Sequence, residues 1–359
     1  MRMLRRLAGC FAVALLLASP APGLAAEATQ PAAAPVPATA APAKEAATTA
    51  PATPAVAPAK ACDAVVADVD KALLSNDLGA LDQLWTKAKA VTDCPEPTRY
   101  CMGQAIALAV LDDAKAFAEK PDSGTGDIAA RITAALKYGS PWQVHVALGD
   151  VHLAVARGTH KGLDYSDAAY AYQQALLDLQ AVAVCADASE QPSVATVGSV
   201  YTHMAAALLL ADPVKFVVTR CASCPWLLFR GIAGFRPAVR PLPITFPSGS
   251  DQPTAEGEAT IGDIATCLGQ SRASGIVLLG HADATGGDAA NMRLSKKRLE
   301  TIRAMLIKAG YRGKVGIEPQ GSSKPFVIED GNFSAAETLR LDRRIELAEA
   351  DFSGGGSCE

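Results

Sequence analysis

The hydrophobic period of this chain changes near residue 241, and that change decides its architecture. From 61 to about 213, apolar residues recur at three- and four-residue spacing, as in Val65, Val69 and Leu73, or Ile106, Val110 and Leu111. That spacing is the signature of helices. Turn-forming clusters at 93–98, 121–126, 139–141 and 188–192 cut the stretch into a bundle. From 241 to 350, short apolar runs alternate with helical patterns. We read strands at 242–246, 275–279, 314–318 and 344–348, with helices at 254–268 and 291–309. The expected class is therefore an α-helical domain followed by an α/β region. The latter is a β-α-β-α-β-β sandwich with one sheet and helices on one face.

What precedes the helices reads as export and tether. Arg2, Arg5 and Arg6 open a leader, 11–18 is a short apolar core, and small residues at 23–26 offer a cleavage site. The apolar core is too short for a bilayer of about 30 Å. Leu7-Ala8-Gly9-Cys10 has the composition of a lipoprotein box but stands before the apolar core, so lipidation is not expected. Retention of the leader as an anchor is the alternative to cleavage. Residues 27–60 are almost entirely Ala, Pro, Thr and Glu, a composition that cannot build a core. The organisation expected is thus 1–26 signal peptide, 27–60 linker, 61–213 helical domain, 214–240 connector, 241–350 α/β domain and 351–359 tail. No later segment is long and apolar enough to span a membrane, and no series of alternating ten-residue segments encodes an outer-membrane barrel.

The chain has nine cysteines, eight once Cys10 leaves with the leader. An even count in an oxidising compartment points to disulfides, whose connectivity spacing alone does not reveal. Cys267 and Cys358 are a plausible staple. Net charge is −4 and the pI near 5.8, which argues against nucleic-acid binding.

In the helical stretch, Leu148-Gly149, His152, Ala168, Tyr172 and Ala175-Leu176 resemble one tetratricopeptide-like helical hairpin. Small residues there would let two helices approach closely, and a hairpin of this kind offers a surface to a protein partner.

The chemistry concentrates in the α/β region. Asp283 directly follows an apolar strand, at the carboxyl end where ligands of such sheets bind. The next helix carries Leu294, Ile302, Met305 and Leu306 on its inner stripe. Arg298 falls on the same stripe, as does Asn291 two turns earlier. A guanidinium on a buried face needs an acceptor. Asp283 and Arg298 would offer one anion and one cation to a zwitterion. A fold-stabilising salt bridge between the two is the plainer alternative.

These residues sit in a longer pattern that resembles the OmpA-like peptidoglycan-binding domain, over about 243–350. Its pieces are Ile244-Thr245-Phe246, Gly280-His281-Ala282-Asp283, Gly286, Asn291, Leu294-Ser295-Lys296-Lys297-Arg298-Leu299, Gly321 to Pro325, and Asp342-Arg343-Arg344-Ile345-Glu346. Asp283 and Arg298 are 15 residues apart, the spacing that the family uses. The resemblance implies that these two bind diaminopimelate of the wall stem peptide. It implies that Asn291 and Leu294 line the pocket and that Arg344 buttresses or contacts the ligand. Ala282, Leu299 and Asp342 depart from the family's Thr, Ala and Asn. Asp342 adds a negative charge beside the two arginines.

Other signals carry less. Cys221-Ala222-Ser223-Cys224 has thioredoxin-like spacing without a thioredoxin pattern around it, and a structural disulfide is the expected role. The five histidines fall in no metal motif. His145, His152 and His203 read as packing residues, and His281 as a hydrogen-bonded structural residue. No nucleophile elbow or phosphate loop is present, so no cofactor, metal or enzymatic activity is expected. The expected function is a periplasmic, wall-associated adaptor of the cell envelope and outer membrane, with peptidoglycan as one partner and an unknown protein as the other. The rivals are an interaction scaffold whose helical domain carries the main role, and a thiol-redox protein at Cys221 and Cys224.

Overall fold

The structure is a computed structural model that describes residues 60–181, 185, 192–216, 232, 234–270, 274–328 and 332–350. The leader, nearly all of the linker, the Cys221–Cys224 motif and Cys358 lie outside the described residues.

The first part is helical: α1 (Lys60–Ser75), α2 (Leu78–Ala90), α3 (Glu96–Ala118), α4 (Thr125–Ala135), α5 (Trp142–Thr159), α6 (Gly162–Ala181) and α7 (Val194–Leu210). Local chemistry sets the boundaries. The Asp77 carboxylate caps α2 through the Ala80 N–H, Ser193 caps α7 through the Thr196 N–H, and Pro95 and Pro141 precede α3 and α5. His160, in the left-handed region at φ 57°, closes α5 before α6 begins. The α5–α6 hairpin packs as its small residues foretell. A methyl group on Gly149 would stand 2.6 Å from the Tyr172 ring, so only glycine admits that ring between the helices. Disulfides Cys62–Cys94 and Cys101–Cys185 tie this part together. Cys267 is disulfide-bonded as well.

The second part is an α/β layer of β1 (Arg240–Leu242), α8 (Ala255–Gln270), β2 (Gly275–His281), α9 (Asp288–Lys308), β3 (Lys314–Gly321), α10 (Ala335–Asp342) and β4 (Ile345–Ala350). Two details differ from the sequence reading. The first strand lies at 240–242 rather than 242–246. A helix, α10, stands between β3 and β4, built on a Ser334–Glu337 capping box that the short apolar pattern did not announce. The four strands run in the order β1-β4-β2-β3. β2 and β3 are parallel, and β4 is antiparallel to both β1 and β2. One apolar core runs from α5, α6 and α7 through Leu242, Ile244 and Phe246 into the sheet and α9. No helix among the described residues is long and apolar enough to cross a membrane.

Candidate functional site

Two glycines at the carboxyl ends of β2 and β3 place α9. A side chain at Gly280 would meet the Leu299 Cγ at 2.7 Å, and Gly321, at φ 57°, lies beside the Met292 backbone. The helix therefore settles directly on the strand ends. The Ala282 N–H donates to the Gly321 carbonyl at 2.8 Å and the His281 N–H to the Arg344 carbonyl at 2.9 Å. The exit of β2 is thus sewn to both neighbours, and Asp283 is the first side chain beyond the seam.

Asp283 is buried, with 6% of its surface exposed. One carboxylate oxygen accepts the Thr285 N–H at 3.0 Å and the Thr285 hydroxyl, which makes an Asx-type turn. The other accepts from the Arg343 guanidinium at 2.7 Å. Burial works to raise this carboxyl. The Thr285 and Arg343 hydrogen bonds outweigh burial and hold it below the usual range, so it is ionised at neutral pH.

Arg298 projects from the third turn of α9 and has no exposed surface. Its Nε donates to the Ser250 carbonyl at 2.9 Å, Nη1 to the His281 carbonyl at 3.3 Å and Nη2 to the Pro247 carbonyl at 3.4 Å. The guanidinium carbon stands 4.7 Å from the centre of the Phe246 ring, a cation–π contact. Burial, with repulsion from Arg343, pulls its pKa down to about 10 against the attraction of Asp283 and Asp251. It remains charged at pH 7. Among the described residues no carboxylate stands within ion-pair distance of it. The plainer expectation, a direct Asp283–Arg298 salt bridge, is therefore not what is found. Asp283 pairs with Arg343 instead, while among the described residues the hydrogen bonds of Arg298 go to backbone carbonyls. Two of those carbonyls belong to the 247–250 turn, which covers the guanidinium.

The other predicted residues take distinct positions. Asn291 is buried, and its amide donates to the Asp283 carbonyl at 2.9 Å and the Gly286 carbonyl at 3.2 Å, fastening the turn that carries Asp283. Leu294 is half-buried. Arg344 is buried and turned into the sheet. Its Nε donates to Glu346 at 2.7 Å and its Nη2 to the Lys324 carbonyl at 3.2 Å, while the other Glu346 oxygen meets His281 Nε2 at 3.0 Å. It buttresses the strand ends. The Asp342 carboxylate accepts the Phe326 N–H at 2.8 Å and so holds the loop after β3.

Sequence reasoning overlooked Arg343 as the partner of Asp283, and the 247–250 turn as the cover of Arg298. Thr285 was readable, because a hydroxyl two residues after an Asp is an Asx-turn pattern. Arg343 was not, since its contact spans 60 residues. Among the described residues no cluster of His, Cys, Asp and Glu could hold a metal ion.

Residues 245–338 match the OmpA family. The probable lipoprotein YiaD of Escherichia coli is 29% identical over 105 residues, which is 29% of this chain and 46% of that protein. The chain thus matches about half the length of that relative. The peptidoglycan-associated lipoprotein of Burkholderia pseudomallei aligns in structure at TM-score 0.25 and 21% identity, over 29% of this chain and 86% of that one. The C-terminal domain of Helicobacter pylori MotB aligns at TM-score 0.25 and 22% identity, over 30% and 81% respectively.

Proposed function

We propose that the C-terminal part grips peptidoglycan without covalent chemistry, by taking the amino-acid head of a diaminopimelate stem peptide between Asp283 and Arg298. One observation carries the reading: a fully buried guanidinium whose charge meets no carboxylate among the described residues, beside an aspartate held ionised. A buried cation left to carbonyl dipoles is costly, and a ligand carboxylate would relieve it. The ligand's ammonium would then face Asp283. Entry requires the 247–250 turn to release Ser250 and Pro247, whose bonds to the charged group are worth roughly 1.5–3 kcal/mol each. The carboxylate replaces them, so the exchange is near balance and the affinity of one site is modest. Repeated stems on the wall supply avidity. Asn291 and Arg344 position the site, and Leu294 sits at its edge. A relative that is named for its association with peptidoglycan fits this reading.

In the same proposal the chain acts in the periplasm as a wall-bound adaptor. Residues 1–26 direct export, 27–60 give reach, 61–213 present a surface to a protein partner, 214–240 connect, 241–350 hold the wall and 351–359 form a tail. The test is co-sedimentation with purified sacculi, with circular dichroism as the control for folding. Asp283→Ala and Arg298→Ala are expected to abolish sedimentation, and free diaminopimelate is expected to compete with the unaltered chain. Equal sedimentation of both variants and the parent defeats the assignment.

A further inference from the structure

A cavity lies far along the chain from Asp283, in the helical part. It has a volume of about 330 Å³ and is walled by Trp85, Lys89, Glu96, Arg99, Tyr100 and Tyr138. That is at the lower end of small-molecule sites, which run roughly 300–1,000 Å³. The cavity has room for one ring-sized ligand and not for a folded segment.

The Trp85 and Tyr138 walls are fixed before any ligand arrives. The Tyr138 hydroxyl donates to Asp82 at 2.8 Å, and Asp82 also holds Lys137. The Tyr138 ring stands edge-on to Trp85 with centroids 6.4 Å apart. A side chain at Gly103 would meet the Trp85 ring at 2.9 Å and the Tyr138 carbonyl. Glycine there lets the turn after α4 close against α3. The Cys62–Cys94 disulfide ties α1 to the loop that leads into Glu96.

The lining chemistry selects a class of ligand. Lys89 lies 5.7 Å from the centre of the Trp85 ring, and Arg99 pairs with Glu96 at 3.1 Å. Tyr100 is 39% exposed, so its ring is open to stacking. Among the described residues the lining is aromatic and charged, without a Leu, Ile, Val or Met side chain. Rings interleaved with two cations and one carboxylate suit a pyranose that carries an acid. Its C–H face would lie on tyrosine, its carboxylate would meet Lys89 and Arg99, and its hydroxyls would bond Glu96.

We infer that this cavity is a binding site for a carboxylated sugar, separate from the Asp283–Arg298 site. The acid could belong to a muramic acid of the wall glycan whose lactyl carboxylate is freed by removal of the stem peptide, or to a uronic acid of another polysaccharide. Isothermal titration of the full chain with N-acetylmuramic acid, glucuronic acid and uncharged N-acetylglucosamine tells these apart. At least one acidic sugar is expected to bind, with N-acetylglucosamine weaker by about fivefold or more. Whichever acidic sugar binds more tightly names the polymer. Lys89→Gln, Arg99→Gln and Tyr100→Ala should each weaken the acidic sugar by about fivefold, whereas Asp283→Ala should leave it unchanged. The inference is overturned if neither acid binds at millimolar concentration. It is equally overturned if N-acetylglucosamine binds as well as the acids, if the three cavity variants bind like the parent, or if Asp283→Ala abolishes binding.

Discussion

The helical part and the α/β part keep their charges in opposite places. In the helices, ion pairs such as Lys87–Asp68, Lys115–Asp112 and Arg131–Asp113 join half-exposed side chains, while the core is Ala, Leu, Val and Tyr. Pairs of that kind contribute about 0–1 kcal/mol. In the α/β part, Arg298, Arg344, Glu346, His281, Asp283 and Asp342 are all buried. Buried charge is costly to desolvate, and removing one partner leaves the other stranded. The helical part therefore rests on apolar packing and disulfides, and the α/β part on a network of buried polar contacts with little tolerance for change.

The largest effect expected from this contrast is at Arg344. Arg344→Ala strands Glu346, which is then left with His281 alone, and should lower unfolding free energy by about 3–5 kcal/mol in urea titration. Lys87→Ala, in the helical part, should cost less than about 1 kcal/mol. Equal costs would erase the difference between the regions. Next comes the Cys101–Cys185 bridge, with a sequence separation of 84. Replacing both cysteines by serine should cost roughly 2–4 kcal/mol through loop-closure entropy, measured under oxidising conditions. It should leave sacculus binding by the folded protein intact, because the bridge touches no part of the wall site.

A third test falls where the parts meet. The Glu337 carboxylate accepts from the Tyr165 hydroxyl at 2.6 Å, from His160 Nδ1 at 3.0 Å and from Ser334. Burial opposes ionisation, but these donors bring its pKa down to about 2 from an ordinary 4.5. A carboxyl depressed on folding contributes stability that is fully present above its unfolded pKa and is lost as pH falls through the folded one. Stability should therefore decline from about pH 4.5 toward pH 2 by roughly 2 kcal/mol on account of this group. Glu337→Gln should flatten that decline while lowering stability at pH 7, as read by thermal unfolding at pH 6 and pH 3. An unchanged acid slope would show that the junction is not held by this carboxylate.

Much of the plan was readable from period and pattern. The switch near residue 241, the strand exit before Asp283 and the inward face of Arg298 follow from local spacing, which a sequence displays directly. The position of Gly149 against Tyr172 follows likewise. What the sequence hid is tertiary. The choice of Arg343 over Arg298 as partner of Asp283 depends on how β4 returns beside β2, and the covering turn at 247–250 depends on carbonyl directions that no side-chain pattern encodes. The helix α10 was hidden because its one strong signal, the Ser334–Glu337 capping box, opens a helix of only eight residues. The continuity of the apolar core from α7 into the sheet was hidden for the same kind of reason: periodicity tells which face is apolar, not what covers it.

The smallest effect expected is also the cleanest comparison, because each part buries one amide that donates to two backbone carbonyls. In the helices, Gln173 Nε2 reaches Ala169 at 3.2 Å and Lys215 at 3.1 Å. In the α/β part, Asn291 Nδ2 reaches Asp283 and Gly286. Removing either amide takes a buried hydrogen-bond donor from the carbonyls it serves, so Gln173→Ala and Asn291→Ala should each destabilise by about 1–2 kcal/mol. Their consequences for binding should part. The turn that Asn291 holds is the one that aims Asp283, and freeing it should weaken sacculus co-sedimentation several-fold at a temperature where both variants are folded. Gln173→Ala should sediment like the parent. If the two variants bind alike, the buried polar contacts of the α/β part serve its folding alone, and the distinction between the regions loses its functional meaning.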